Sequence, residues 1–248
     1  MSIRKKILAI SIGPVLVLGV ITLLFMLTMV KSSLMDEVQD ALKGTAAATL
    51  AAYDQNTGDY LESTNGDIWK GSYNISKSES LVDRIKENTG MDVTFFYGNK
   101  RIMTSALDKK GNRILGSEAG ERVVNQVIKG KKPFFSTNVS LDGTRNYGYF
   151  IPVYQNGTTD QVIGMVFVGT NKARKDAIVN KILGSIMMAL LVVMLLCIVT
   201  AMRMAASISK NIKNSVAVVG KLADGDLNVW VDEKLLKRKD EIGDLSRG

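Results

Sequence analysis

The sequence predicts an α+β domain, one antiparallel sheet with helices over a face, held between two membrane-spanning helices. Three observations predict it. Two charge-free apolar stretches, Ile7–Val30 (24 residues) and Ile182–Met202 (21 residues), bracket a water-soluble middle. Each is long enough to cross a bilayer as a helix, the fold that satisfies backbone polar groups where water is absent. The middle, 151 residues from Lys31 to Lys181, opens with helical spacing and ends with five strand-like segments joined by short turns.

Composition removes several function classes. The middle carries 20 Lys+Arg against 17 Asp+Glu, so the chain's net charge of +8 marks no single basic patch and no nucleic-acid partner is expected. The one cysteine, Cys197, lies in the second apolar stretch, so no disulfide framework is expected. Histidine is absent, which removes the commonest general base, the commonest metal ligand and any Ser-His-Asp triad. No catalytic residue, metal or cofactor is expected, and the protein reads as a non-enzyme.

Residues 1–6 form a basic N-terminus with Arg4, Lys5 and Lys6. The apolar run that follows, 7–30, is longer than the core of a usual signal peptide and has no small-x-small cleavage site, so an uncleaved span is expected. Arg203, Lys210 and Lys213 follow the second span, 182–202. Positive flanks stay cytoplasmic, which predicts both ends inside and residues 31–181 outside.

From Lys31 to about Tyr53, Leu34, Val38, Ala41, Leu42, Thr45 and Thr49 recur at spacings of three and four, and no proline intervenes. The first span is expected to continue outward as one long helix. Gln55–Asp59 ends it with turn chemistry. Residues 60–78 are polar and read as a loop with one helical turn. A short helix is expected at Ser80–Asn88. Strands are expected at Asp92–Tyr97, Arg101–Ala106, Pro133–Leu141, Arg145–Tyr154 and Val162–Thr170, with a helix at Glu118–Lys129 after the second. Gly98-Asn99 and Asp142-Gly143 are hairpin turns. The order of strands in the sheet does not follow from spacing.

Several segments carry a family resemblance. Thr89–Phe96, Lys100–Ser105, Gly116-Ser117, Val127–Gly130, Tyr149–Tyr154 and Ile163–Gly169 together resemble a single Cache domain. That resemblance implies a long N-terminal helix, a PAS-like five-stranded antiparallel sheet and a small-molecule ligand bound outside the cell.

The tail, 203–248, strengthens the reading. Ile208, Ile212, Ser215, Val219 and Leu222 make a short coiled-coil seam, Gly225-Asp226-Leu227 breaks it, and Asp240–Leu245 restarts a helix with acids in its first turn. Helix, extended connector and a second helix opening Asp-Glu-Ile-Gly resemble a HAMP domain, a four-helix signal relay; Asn211 stands where many HAMP domains have proline. The resemblance implies relay roles for Asp240, Glu241 and Gly243. With its second helix barely begun, the bundle is incomplete, and a receptor fragment is expected.

Ligand contacts should come from the strands. Arg101 sits among apolar neighbours, and a buried arginine suits a carboxylate. Ser105 lies on the same strand. Arg145, Tyr147 and Tyr149 share one face by the period of two, offering a guanidinium and two phenols. Phe95, Met103 and Phe135 are candidates for the apolar wall. The alternatives are an exposed edge arginine, a solvated sheet face and plain core. The ligand class expected is a carboxylate or other polar metabolite.

These readings together resemble the sensing half of a bacterial chemotaxis receptor, a homodimer in the cell membrane. It would speak to a cytoplasmic adaptor and histidine kinase through an output region beyond Gly248. The sensor half of a histidine kinase or of a cyclic-dinucleotide enzyme is the alternative. A membrane-anchored extracytoplasmic hydrolase is a more distant one.

Overall fold

A computed structural model describes residues 3–156, 158–224 and 243. The chain divides into two compact units, Met29–Ile182 and a second made from Met1–Thr28 with Leu183–Gly248.

In the second unit, α1 (Ile3–Phe25) is helical through Pro14, and the chain then widens to a π-turn over Met26–Val30. Ile10, Leu18, Leu195 and Leu196 are all exposed on the two helices, the pattern of side chains that meet lipid rather than a protein core. A helix at each end of the chain is long and apolar enough to span a membrane. α5 (Lys172–Ala223) continues past the apolar stretch. Along it Ala205 and Ser215 are buried, Ile208 and Ile212 half-buried, and Val219 exposed. The connector and helix restart expected after Gly225 lie outside the described residues, as do Asp240 and Glu241; Gly243 is described, helical and buried.

The unit Met29–Ile182 is the α+β domain. α2 (Lys31–Asp54) buries Val38, Leu42, Ala46, Thr49 and Tyr53, one stripe at spacings of three and four, against the sheet. Three short strands follow: β1 (Tyr60–Glu62), β2 (Ile68–Lys70) and β3 (Tyr73–Asn74) form a small antiparallel sheet, with Tyr60 opposite Lys70 and Trp69 opposite Asn74. A single 3-10 turn, Ile75–Lys77, comes next. The segment 60–78, expected as a loop with one helical turn, therefore has its turn and also carries a small sheet. Three-residue strands are too short to show a period. What orders them is burial of Tyr60, Ile68 and Ile75 and the tight approach of Gly71 to Thr57, where a Cβ would lie 1.8 Å from the carbonyl oxygen.

α3 (Glu79–Thr89) ends at Gly90, whose φ of +69° is the left-handed cap glycine tolerates. The main strands are β4 (Asp92–Tyr97), β5 (Lys100–Thr104), β6 (Phe134–Leu141), β7 (Thr144–Tyr154) and β8 (Val162–Asn171), all antiparallel in the order β5-β4-β8-β7-β6. Between β5 and β6, α4 (Glu121–Val123) runs into a wider turn over Val124–Lys129, starting three residues later than expected. The Asp142-Gly143 hairpin has both residues at positive φ, the geometry that matches strand twist. Pairing with β6 stops at Phe150, so Pro152 lies where β7 has no neighbour on that side.

The last strand, β8, is central, and Lys172 of α5 follows it with no intervening loop. The long helix, the five-stranded sheet and the order of elements are the Cache/PAS-like fold that the sequence predicts.

Candidate functional site

Each face of the sheet has its own core. The face under α2 packs Val93, Phe95, Met103, Tyr147, Tyr149, Val166 and Val168 with the helix stripe. The opposite face packs Phe96, Phe150, Met165 and Phe167 with Val127 and Leu141.

Two β-bulges decide which residues reach that second face. On β5, Phe95 opposes Met103 but Phe96 opposes Arg101, so Ile102 is the extra residue. Without the bulge Arg101 and Met103 would share a face by the period of two; with it they point to opposite ones. On β6, Ser136 opposes Gly148 and Val139 opposes Asn146, so Thr137 and Asn138 together face one residue of β7. That keeps Phe134, Ser136 and Val139 on one side.

The second face holds a cavity of about 500 Å³, within the usual range for small-molecule sites. Phe96, Phe134, Phe150, Phe167, Val123 and Val139 form its apolar wall; Arg101, Arg122, Glu118, Ser136, Thr137, Asn138 and Ser140 supply its polar groups. Gly148 and Gly169, opposite each other on β7 and β8, let the Phe167 ring of that wall lie close against the sheet. A Cβ at either would come within about 2.5 Å of the Phe167 ring.

Arg101 is 8% exposed. Its guanidinium carbon lies 5.4 Å from the centre of the Phe96 ring. Nη1 donates to the Ile114 carbonyl at 3.4 Å, and among the described residues no acceptor reaches Nε. A buried donor left unmade costs about 1–3 kcal/mol, more when the group is charged. Burial pulls the Arg101 pKa below its ordinary value, with Asp92 acting against the shift, and the guanidinium stays charged at any physiological pH. Arg122 and Glu118 are exposed at the rim, and Arg122 lies 5.3 Å from the Phe134 ring centre. A buried cation with one unpartnered donor, set in an aromatic wall, suits an anion with an apolar body.

Of the eight candidate ligand residues, the structure brings Arg101 and Phe135 to this cavity. Phe135 borders it, while its ring stacks on Tyr147 on the α2 face, 6.3 Å between centroids and 9° between planes. Phe95, Met103, Tyr147 and Tyr149 are in the α2-face core. Ser105 Oγ accepts from the Val93 amide at 2.9 Å and donates to Asp92 at 3.3 Å, a bracing role at the strand end. Arg145 is exposed at the start of β7, opposite Ser140. The residues sequence reasoning missed are Phe96, Phe134, Phe150 and Phe167. Phe96, Phe134 and Phe150 are each next to a chosen residue and of the opposite parity, Phe167 lies on β8, where none was chosen, and only the bulges and strand order bring the four together.

Burial raises the Tyr147 pKa to about 12, helped by the hydrogen bond its hydroxyl gives Asp176 Oδ1 at 2.5 Å. Lys172 Nζ donates to the same hydroxyl at 3.2 Å. This group of side chains joins β7 to the first turn of α5.

Residues 73–182 match the family model described as single cache domain 3, so the match starts at β3 and leaves α2 outside it. Among solved structures, the chain is similar to an extracellular ligand binding receptor from Desulfohalobium retbaense DSM5692. The identity is 15% and the TM-score 0.42, over 59% of this chain and 25% of that one. It is also similar to the DcuS sensor domain of E. coli, at 15% identity and TM-score 0.33, over 56% of this chain and 98% of that one. The chain thus spans a quarter of the length of the first. No curated protein sequence matches it.

Proposed function

We propose that the chain is the sensing half of a transmembrane chemotaxis receptor whose Cache domain binds a small carboxylate in the cavity beside Arg101. The observation that carries the reading is the unpartnered Nε of a nine-tenths-buried arginine, in a Cache-like domain between two apolar helices. The basic flanks support cytoplasmic termini and an extracytoplasmic domain.

Binding shifts a receptor only so far as the ligand prefers one state over the other. A ligand spanning β5, β7 and α4 would favour the arrangement that closes them together. β8 lies between β4 and β7 and leads straight into α5, so strand displacement would reach the second span without crossing a loop. A HAMP bundle, built in a homodimer from residues 203–248 of each chain with Asp240, Glu241 and Gly243 at its second helix, would be the bistable relay to a cytoplasmic adaptor and kinase.

The test is thermal unfolding of the full chain in lipid nanodiscs with a panel of small carboxylates and their neutral amides. A carboxylate at 100 times its Kd should add about 2.7 kcal/mol of stability, and Arg101→Gln should remove the effect. The chemotaxis assignment predicts that cells carrying the receptor accumulate along, or away from, a gradient of that carboxylate. A change in phosphotransfer or cyclic-dinucleotide level without any change in swimming would overturn it.

A further inference from the structure

We propose that the cavity beside Arg101 selects an aromatic monocarboxylate. The carboxylate would pair with the guanidinium, and the ring would lie among the phenylalanines. The inference rests on the carboxylate-pocket reading above and narrows it.

The charge distribution argues for one carboxylate. Arg101 is the cation at the buried end. Its Nη1 is turned to the Ile114 carbonyl at 3.4 Å and its buried Nε has no acceptor among the described residues, so the guanidinium keeps donors that a carboxylate can satisfy. The other charges, Arg122 and Glu118, are exposed at the rim and opposite in sign. A second ligand carboxylate would lie against phenyl rings or at the rim, where the charge of Glu118 offsets that of Arg122.

The wall argues for a flat apolar body. Phe150 and Phe167 are 4.7 Å apart between centroids and tilted 39°, and Phe134 lies 6.4 Å from Phe150. Rings at such separations favour a further aromatic partner in tilted or offset contact. Glycine on two neighbouring strands, Gly148 and Gly169, lets the Phe167 ring lie close against the sheet as part of this wall. A short aliphatic acid would pair with Arg101 and leave this wall unfilled. A volume of about 500 Å³ admits a substituted benzoate with water toward the Ser136 side.

Isothermal titration of the full chain in nanodiscs with benzoate, benzamide, succinate and acetate tests this. Benzoate should bind at least tenfold more tightly than each of the other three. Arg101→Gln should cost benzoate at least tenfold, with the unfolding transition still cooperative. The benzoate–benzamide comparison uses the unaltered chain, so it stands even if the variant misfolds. Succinate or acetate binding as tightly as benzoate overturns the aromatic inference and leaves the carboxylate pocket standing. Benzamide binding as tightly as benzoate, or no heat from any of the four, overturns both.

Discussion

The Tyr147 hydroxyl donates to Asp176 Oδ1 at 2.5 Å, tying the strand that carries Phe150 into the cavity to the first turn of the helix that leaves the domain. Lys172 sits over the Tyr147 ring at 4.4 Å and bonds its hydroxyl, and Phe135 stacks on the ring. Tyr147 therefore touches β6, β7 and α5 together. It lies on the α2 face, away from the cavity, and under the proposed function it would act as a positioning residue through which a shift of β7 reaches Asp176.

Tyr147→Phe keeps the ring and removes the bond. It should cost about 0.5–1.5 kcal/mol of stability, or up to about 3 because Asp176 is charged. Ligand affinity at Arg101 should change less than threefold while the swimming response falls. Titration on the purified variant and a gradient assay on cells separate the two. A parallel loss of affinity would place Tyr147 in the binding site instead.

The same pair predicts a difference at alkaline pH. Tyr147 titrates near pH 10 in an unfolded chain and at about 12 in the folded one. A raised folded pKa gives stability that is fully present below the unfolded value and lost as pH rises through the folded value. Between pH 10 and 12 the wild-type chain should lose stability faster than Tyr147→Phe, so the gap between their unfolding midpoints should narrow. Tyr53 and Tyr60, also raised by burial, contribute equally to both chains and cancel.

At the other end of the scale, Arg113 makes a two-pronged pair with Asp83, at 2.9 and 2.6 Å, which holds the Asp83 carboxyl below the usual carboxylate range. A lowered folded pKa gives stability that is present above the unfolded value, about 3.9, and lost as pH falls. Asp83→Asn should therefore unfold earlier than wild type near pH 7, and the difference should shrink as pH falls through the lowered folded pKa. The Asp83 side chain is 43% exposed, so the effect should be modest and shrink with salt. Unfolding curves at two pH values and two salt concentrations check this.

Glycines on the sheet divide by what a methyl group would strike. At Gly164 a Cβ would sit 2.0 Å from the Phe96 carbonyl oxygen, so backbone must move. Gly164→Ala should cost at least the roughly 1–3 kcal/mol of an overpacked core. At Gly148 the obstacles are the Phe167 ring at 2.5 Å and the Val139 side chain at 2.8 Å. Gly148→Ala should cost less than Gly164→Ala but weaken ligand binding, because the ring that must give way, Phe167, is part of the cavity wall. Calorimetric unfolding ranks the two, and titration reads the second.

The architecture was legible because each strand carried its own signal. The β-rich run Asp92–Tyr97, the Asp142-Gly143 turn and the apolar run Val162–Thr170 all appear as strand, hairpin and strand. The small sheet over 60–74 was not, since its short polar strands are ordered by what they bury rather than by pattern. The cavity was half legible. Arg101 stood out as a cation among apolar residues. Its neighbours did not, because period-two reasoning assigns Phe95 and Met103 to its side of the sheet, and one bulged residue, Ile102, reverses that.

That reversal gives a prediction about faces. Met103 is 1% exposed in the core under α2, opposite Phe95, and Phe167 is equally buried on the cavity side. Met103→Leu nearly conserves volume and should cost less than about 1.5 kcal/mol. Phe167→Leu removes an aromatic wall and should fall in the roughly 0.5–3 kcal/mol range of ordinary core changes. The stability costs can overlap, but the binding effects should not. Met103→Leu should leave benzoate affinity within about twofold, since the sheet separates it from the ligand. Phe167→Leu should weaken it by at least tenfold, a loss of about 1.4 kcal/mol, through lost ring contact. Titrations at one temperature, well below both unfolding midpoints, compare them. If Met103→Leu weakened binding as much as Phe167→Leu, the ligand would lie on the α2 face and the cavity beside Arg101 would not be its site.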